Sequence, residues 1–117
     1  MSAAYDTGRA RILVVGVTYK KDVKDLRKSP PLKLIRLLQK DGCRVDYFDP
    51  IIPYLNFETI HLKSVSFKPL EIAAFDCVVI ATDHSKVDYK KIAKHARLIF
   101  DVRNVYKDTI DKKIVKL

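Results

Sequence analysis

Apolar positions along the chain fall into short runs separated by polar stretches, and the spacing within each run predicts an element. Arg11-Ile-Leu-Val-Val-Gly16 is a β-branched run that stops at a glycine, the pattern of a strand buried on both faces. Val17–Ser29 follows with four lysines, two aspartates and one arginine and no apolar face, so it reads as a long polar loop. Pro30-Pro31 then opens a helix that ends at Gly42. Leu32, Ile35, Leu37 and Leu38 supply its apolar stripe, Ser29 is placed to cap it, and the prolines suit its first turn.

Cys43–Asp49 reads as a second strand, residues 51–58 as an irregular Pro-containing stretch, and His61–Phe67 as a short edge strand. Lys68–Phe75 carries a helical pattern with Pro69 in its first turn. Asp76–Ala81 is a buried strand, Asp88–Ala96 a short helix with Ile92 and Ala96 inward, and Arg97–Val102 a last strand before a basic, weakly patterned tail. Strands alternating with helices imply right-handed crossovers. The predicted fold class is α/β: a three-layer Rossmann-like domain whose parallel sheet of about four or five strands has helices on both faces.

Composition fits that picture. With 117 residues, 48% hydrophobic and 32% charged, the chain suits one globular domain rather than a disordered segment. Folding at this size removes roughly two-thirds of the unfolded surface from water, so Cys43 and Cys77 are not needed as staples. Both read as small buried thiols of a cytoplasmic protein. No run is apolar enough to span a bilayer, no signal-peptide order is present, and a membrane partner is not expected. His61, His84 and His95 have no ligand-like spacing with the cysteines, and no metal site is predicted.

The net charge of +9 calls for an anion or for solvent. Ligands of parallel α/β sheets bind beyond the carboxyl ends of the strands, here after Gly16, Asp49, Ala81 and Asp101. The first of these loops, GVTYKKDVKDLRKSP, has one glycine and is neither a dinucleotide fingerprint nor a P-loop. It does offer Tyr19, Lys20, Lys21, Arg27 and Lys28 at the sheet mouth, cations for a phosphate and an aromatic for a flat ring. Lys21, Lys24, Lys28 and the tail lysines read more simply as solvated. Asp22 and Asp25 suit holding the loop or pairing with Arg27, and Asp49 a turn before Pro50. Asp83 and His84 form either an acid–base pair or a cap on the following turn, and Asp101 orients Arg103 or its own loop.

The motifs G-x-x-Y-K-K-D-V-x-D-x-R-x-S-P (16–30), V-D-Y-F-D-P (45–50), C-V-V-I-A-T-D-H (77–84) and F-D-V-R-N-V-Y (100–106) occur in order at strand ends. Together they resemble the C-terminal, UDP-binding domain of the UDP-glucose/GDP-mannose dehydrogenase family. The R-N-V-Y-K ending and T-D-H-S turn resemble most the branch acting on UDP-N-acetylhexosamines.

The resemblance implies residues 1–10 as leader or linker and 11–117 as the UDP-binding domain. It places Tyr19, Lys20 and Arg103 at the UDP-sugar and Arg27 at the NAD phosphates. It also implies N-terminal and central dehydrogenase domains as partners, a homo-oligomeric whole enzyme, and oxidation of the sugar C6 alcohol to a carboxylate. The family's catalytic cysteine, lysine and NAD fingerprint match nothing here, so no catalytic residue is assigned and the chain alone is expected to be inactive. Two alternatives stand beside this reading. The +9 charge suggests a nucleic-acid-binding domain, although the aromatics are not spaced among basic residues as stacking platforms, and nucleic acid is not the expected partner. The alternating order also suits a phosphoacceptor receiver domain with its acceptor Asp at a strand end.

Overall fold

The structure is a computed structural model that describes residues 10–116, so nearly all of the expected leader lies outside the described residues. Five strands form one parallel sheet: β1 (Arg11–Val15), β2 (Arg44–Phe48), β5 (Cys77–Ile80), β6 (Ile99–Asp101) and β7 (Ile114–Lys116). Between β2 and β5 lies a separate antiparallel hairpin, β3 (Tyr54–Phe57) with β4 (Ile60–Lys63). The helices are α1 (Pro30–Lys40), α2 (Pro69–Ala74) and α3 (Tyr89–His95).

The order across the sheet is β2-β1-β5-β6-β7. From β1 the chain moves outward to β2, then returns past β1 to β5 and continues the other way. The reversal puts a topological switch point between β1 and β5, where such sheets open a crevice.

Alternation along β1 feeds two cores. Leu13 and Val15 pack with Ile72 of α2 and Ile92 of α3, whereas Val14 packs with Leu32 and Ile35 of α1 and with Leu55 and Ile60 of the hairpin. Helices therefore cover both faces, as the sequence predicts. Burying a side chain the size of Ile35 or Ile92 contributes about 1.5 to 3 kcal/mol.

Several expectations change. The stretch 51–58 is not wholly irregular and 61–67 is not an edge strand of the sheet. Pro53 and the turn at Glu58 delimit a hairpin whose inward residues, Leu55 and Ile60, are fully buried under α1's side of the sheet. The tail holds a fifth parallel strand, because Ile114 is buried and pairs with Ile99. Ser29 occupies the N-cap position of α1 without capping it: its hydroxyl donates instead to the Val17 carbonyl at 2.7 Å. Leu37 leaves the stripe and is 63% exposed.

Candidate functional site

The crevice is built around one close contact. Gly16 ends β1 with φ +86°, and a Cβ there would lie 2.6 Å from the Thr82 carbonyl oxygen, so only glycine fits. The turn after β5 therefore lies directly against the turn after β1. Thr82 adds a bond by donating its hydroxyl to the Thr18 carbonyl at 2.6 Å.

Below the crevice lies a buried polar network. Asp49, at the end of β2, accepts through Oδ2 from the Val17 N–H at 2.8 Å and through Oδ1 from the Ile51 and Ile52 N–H groups at 2.8 and 3.3 Å. It holds the turn as expected, and it also anchors the loop that follows β1. His84, 1% exposed, sets Nε2 3.0 Å from Asp49 Oδ2 and 3.2 Å from Thr18 Oγ1, while its Nδ1 accepts from the Asp22 N–H at 2.9 Å. Asp83 and His84 neither pair with each other nor cap α3: Asp83 turns outward to Lys21 at 3.9 Å, His84 turns inward, and Asp88 caps the helix by accepting from the Lys91 N–H at 3.1 Å. Asp22 has φ +58° and accepts from the Ser85 N–H at 2.8 Å and from its hydroxyl. Those Ser85 bonds hold the Asp22 carboxyl below its ordinary value. Buried polar groups need partners to be stable, and Asp49, His84, Thr18 and Thr82 all have them.

Above this base, the loop from Tyr19 to Lys28 is exposed. Tyr19, Lys20, Asp25, Arg27 and Lys28 line a shallow hollow of about 350 Å³. Tyr19 is 45% exposed and donates its N–H to the Asp25 carbonyl at 3.2 Å. Arg27 grips Asp25 through Nε and one terminal nitrogen, both at 3.1 Å, which lowers the Asp25 carboxyl from its ordinary value.

Arg103 reaches the same loop from the far side of the crevice. Asp101, fully buried at the end of β6, accepts from the Val105 and Tyr106 N–H groups at 2.9 and 2.8 Å and so closes the turn that carries Arg103. The Arg103 guanidinium donates to the Tyr19 carbonyl at 3.3 Å. It also borders a second, more apolar pocket of about 260 Å³, formed with Pro30, Pro31, Leu34, Ala81 and Val102. Tyr19, Lys20, Arg27 and Arg103 thus lie on one edge of the sheet, at the ends of β1 and β6. A larger groove of about 670 Å³ runs along α1 past Lys33, Arg36 and Lys40, away from the strand ends.

Both cysteines are free thiols, and of the two expected to be buried Cys43 is only half-buried. Cys77 is buried within β5, and burial pushes its thiol up to about 11, so it is a poor nucleophile at neutral pH. Asp49, with both oxygens occupied beneath the loops, is no accessible phosphoacceptor. The sequence reading missed the His84–Asp22 bond. The only available signal was a histidine and an aspartate in two loops that both follow central strands.

A doubly wound parallel sheet with a cation-lined edge at its switch point defines a Rossmann-like anion-binding domain. Residues 13–108 match the UDP-glucose/GDP-mannose dehydrogenase family, UDP binding domain, and the chain belongs to that family. It is 29% identical over 113 residues to a UDP-N-acetyl-D-mannosamine dehydrogenase of Methanococcus maripaludis, covering 90% of this chain and 25% of that protein. It is 30% identical over 118 residues to a UDP-glucose 6-dehydrogenase of Rhizobium meliloti, covering 95% and 27%. Among solved structures, a UDP-D-ManNAc dehydrogenase from Pyrococcus horikoshii superposes with a TM-score of 0.70 at 26% identity, over 94% of this chain and 26% of that one. The chain thus spans about a quarter of the relatives it matches. Neither the nucleic-acid nor the receiver alternative finds support in these matches. No helix among the described residues is long and apolar enough to cross a membrane.

Proposed function

We propose that residues 11–117 are the UDP-sugar-binding domain of an NAD-dependent UDP-sugar 6-dehydrogenase, acting on UDP-glucose or a UDP-N-acetylhexosamine. The observation that carries the reading is the meeting of Tyr19, Lys20 and Arg103 at one sheet edge, with Arg103 bonded to the backbone of Tyr19. Lys20 brings a point charge and Arg103 a fork to the diphosphate, and the exposed Tyr19 ring offers a face to the sugar or base.

The residues here do not fit a complete NAD site, since the loop after β1 has one glycine, Gly16, packed against Thr82, and lacks the further glycines that let a pyrophosphate approach the backbone. Arg27, 86% exposed, is assigned one contact to the NAD phosphates, for which it must loosen from Asp25. The hydride transfer and the cysteine chemistry of the C6 oxidation belong to partner N-terminal and central domains in a homo-oligomeric enzyme. A cytoplasmic location is part of the same reading, a compartment in which thiols such as Cys43 and Cys77 stay reduced.

Titration of the chain with UDP and UDP-N-acetylglucosamine, followed by amide chemical shifts, tests the proposal. Shifts confined to residues 17–28 and 102–106 are expected, with affinity reduced about tenfold or more in Lys20→Ala and Arg103→Ala, as for a lost charge-assisted bond. No shifts at these loops, or equal affinity in wild type and both variants, overturns it.

A further inference from the structure

We infer that His84 is a positioning residue that sets the sugar-nucleotide loop, and that it does so only while its ring is neutral. The inference rests on the proposed UDP-sugar site and adds to it the element that holds Tyr19 and Lys20 in place.

The hydrogen-bond partners fix the tautomer. The Asp22 backbone N–H points at Nδ1, 2.9 Å away, and a backbone amide can only donate, so Nδ1 carries no proton. On the other side, the Thr18 hydroxyl donates to the Lys20 carbonyl at 2.8 Å and the Asp49 carboxylate has only lone pairs to offer. Nε2 therefore bears the hydrogen and shares it between Asp49 Oδ2 and Thr18 Oγ1. The backbone beneath the ring is held as well, because the His84 N–H donates to the Tyr89 hydroxyl at 2.9 Å.

This arrangement has one alternative. Adding a proton at Nδ1 sets two donors, the ring and the Asp22 amide, 2.9 Å apart, so that bond is lost. The nearest replacement acceptor is the Asp22 carboxylate, whose Oδ1 lies 3.6 Å from Nδ1. Taking it draws toward the ring a carboxylate that the Ser85 N–H and hydroxyl hold in its present place. The charged groups that face the ring are Asp49, from the end of β2, and Asp22, from the loop after β1; the Tyr89 hydroxyl of α3 meets the His84 backbone, and Asp83 pairs with Lys21. The ring thus chooses between the amide and the carboxylate of one residue, and Asp22 stands two residues beyond Lys20 and three beyond Tyr19. Thr18, the ring's other partner, is the residue immediately before Tyr19.

The test uses the full chain uniformly labelled with ¹⁵N. Ring ¹⁵N shifts at neutral pH are expected to show a neutral His84 protonated at Nε2. As pH falls, the Tyr19, Lys20 and Asp22 amides should move with the same midpoint as the ring. UDP-N-acetylglucosamine, whose diphosphate diester has no group titrating between about pH 5 and 8, should then bind about three- to tenfold more weakly below that midpoint, the equivalent of one hydrogen bond.

His84→Asn places a carbonyl where Nδ1 stands and cannot be protonated. It is expected to rescue binding and flatten its pH profile. His84→Gln extends toward Asp49 instead, and should bind weakly at every pH. An Nδ1-protonated or charged ring at neutral pH overturns the inference, as do loop amides that ignore the ring's titration. Equal affinity in the Asn and Gln variants, with only thermal stability changed, shows a merely structural histidine and also overturns it. A wild-type chain that fails to bind the UDP-sugar at any pH removes the proposed function, while the ring and amide shifts still decide the role of His84.

Discussion

Two loops bring cations to the same edge of the sheet, and they are built differently. The turn carrying Arg103 is held by the strand it follows: Asp101 accepts from N–H groups four and five residues later, and Asn104, with φ +59°, makes the bend. The loop carrying Tyr19, Lys20 and Arg27 is held from elsewhere. Asp49 reaches it from 32 residues away, Thr82 from 64 and His84 from 62. A local turn keeps its shape wherever its strand goes. The distant anchors make the other loop report on whether β1, β2 and β5 are assembled.

The largest expected effect that tests this contrast is Asp49→Asn. It puts an amide donor among three backbone donors and a histidine N–H, and should cost about 3 to 5 kcal/mol in urea denaturation, as breaking a buried charged contact does. Asp101→Asn, equally buried but with two local donors, should cost about 1 to 3 kcal/mol, with shift changes confined to 102–106. Equal costs would break the comparison.

The smallest effect is the acid dependence of the Asp22 anchor. Its carboxyl is lowered by Ser85, so its stabilisation is complete above the ordinary aspartate value and is lost as pH falls through the lower folded value. Ser85→Ala should raise the Asp22 titration measured by carboxyl ¹³C shifts and leave the Asp101 turn untouched.

The same division explains what could be read from the sequence. β1, α1, β2, β5, α3 and β6 follow from apolar period and from Gly and Pro punctuation, and all appear within about two residues of their expected bounds. β7 was invisible because three residues, Ile114–Lys116, are strand only through pairing with β6. Of the hairpin, β4 falls partly within the strand predicted over 61–67, whereas the four residues of β3 beside Pro53 alternate too briefly to register, and without β3 the predicted strand was given to the edge of the sheet. At the site, exposed cations in a strand-end loop are visible by residue type alone. The polar base beneath them is not, since no local pattern tells His84 to face Asp49 rather than Asp83.

The contact between Gly16 and Thr82 has an engineering consequence. The glycines of a dinucleotide-binding sheet tighten the turn and let a guest come close to the backbone, whereas here the one glycine of the loop is closed over by the molecule's own neighbouring turn. Grafting a glycine fingerprint into the loop after β1 would therefore not convert this scaffold into a self-sufficient cofactor carrier. The turn after β5 would have to be recut as well, and Thr82 together with the hydroxyl bond that joins the two turns is where that redesign would begin.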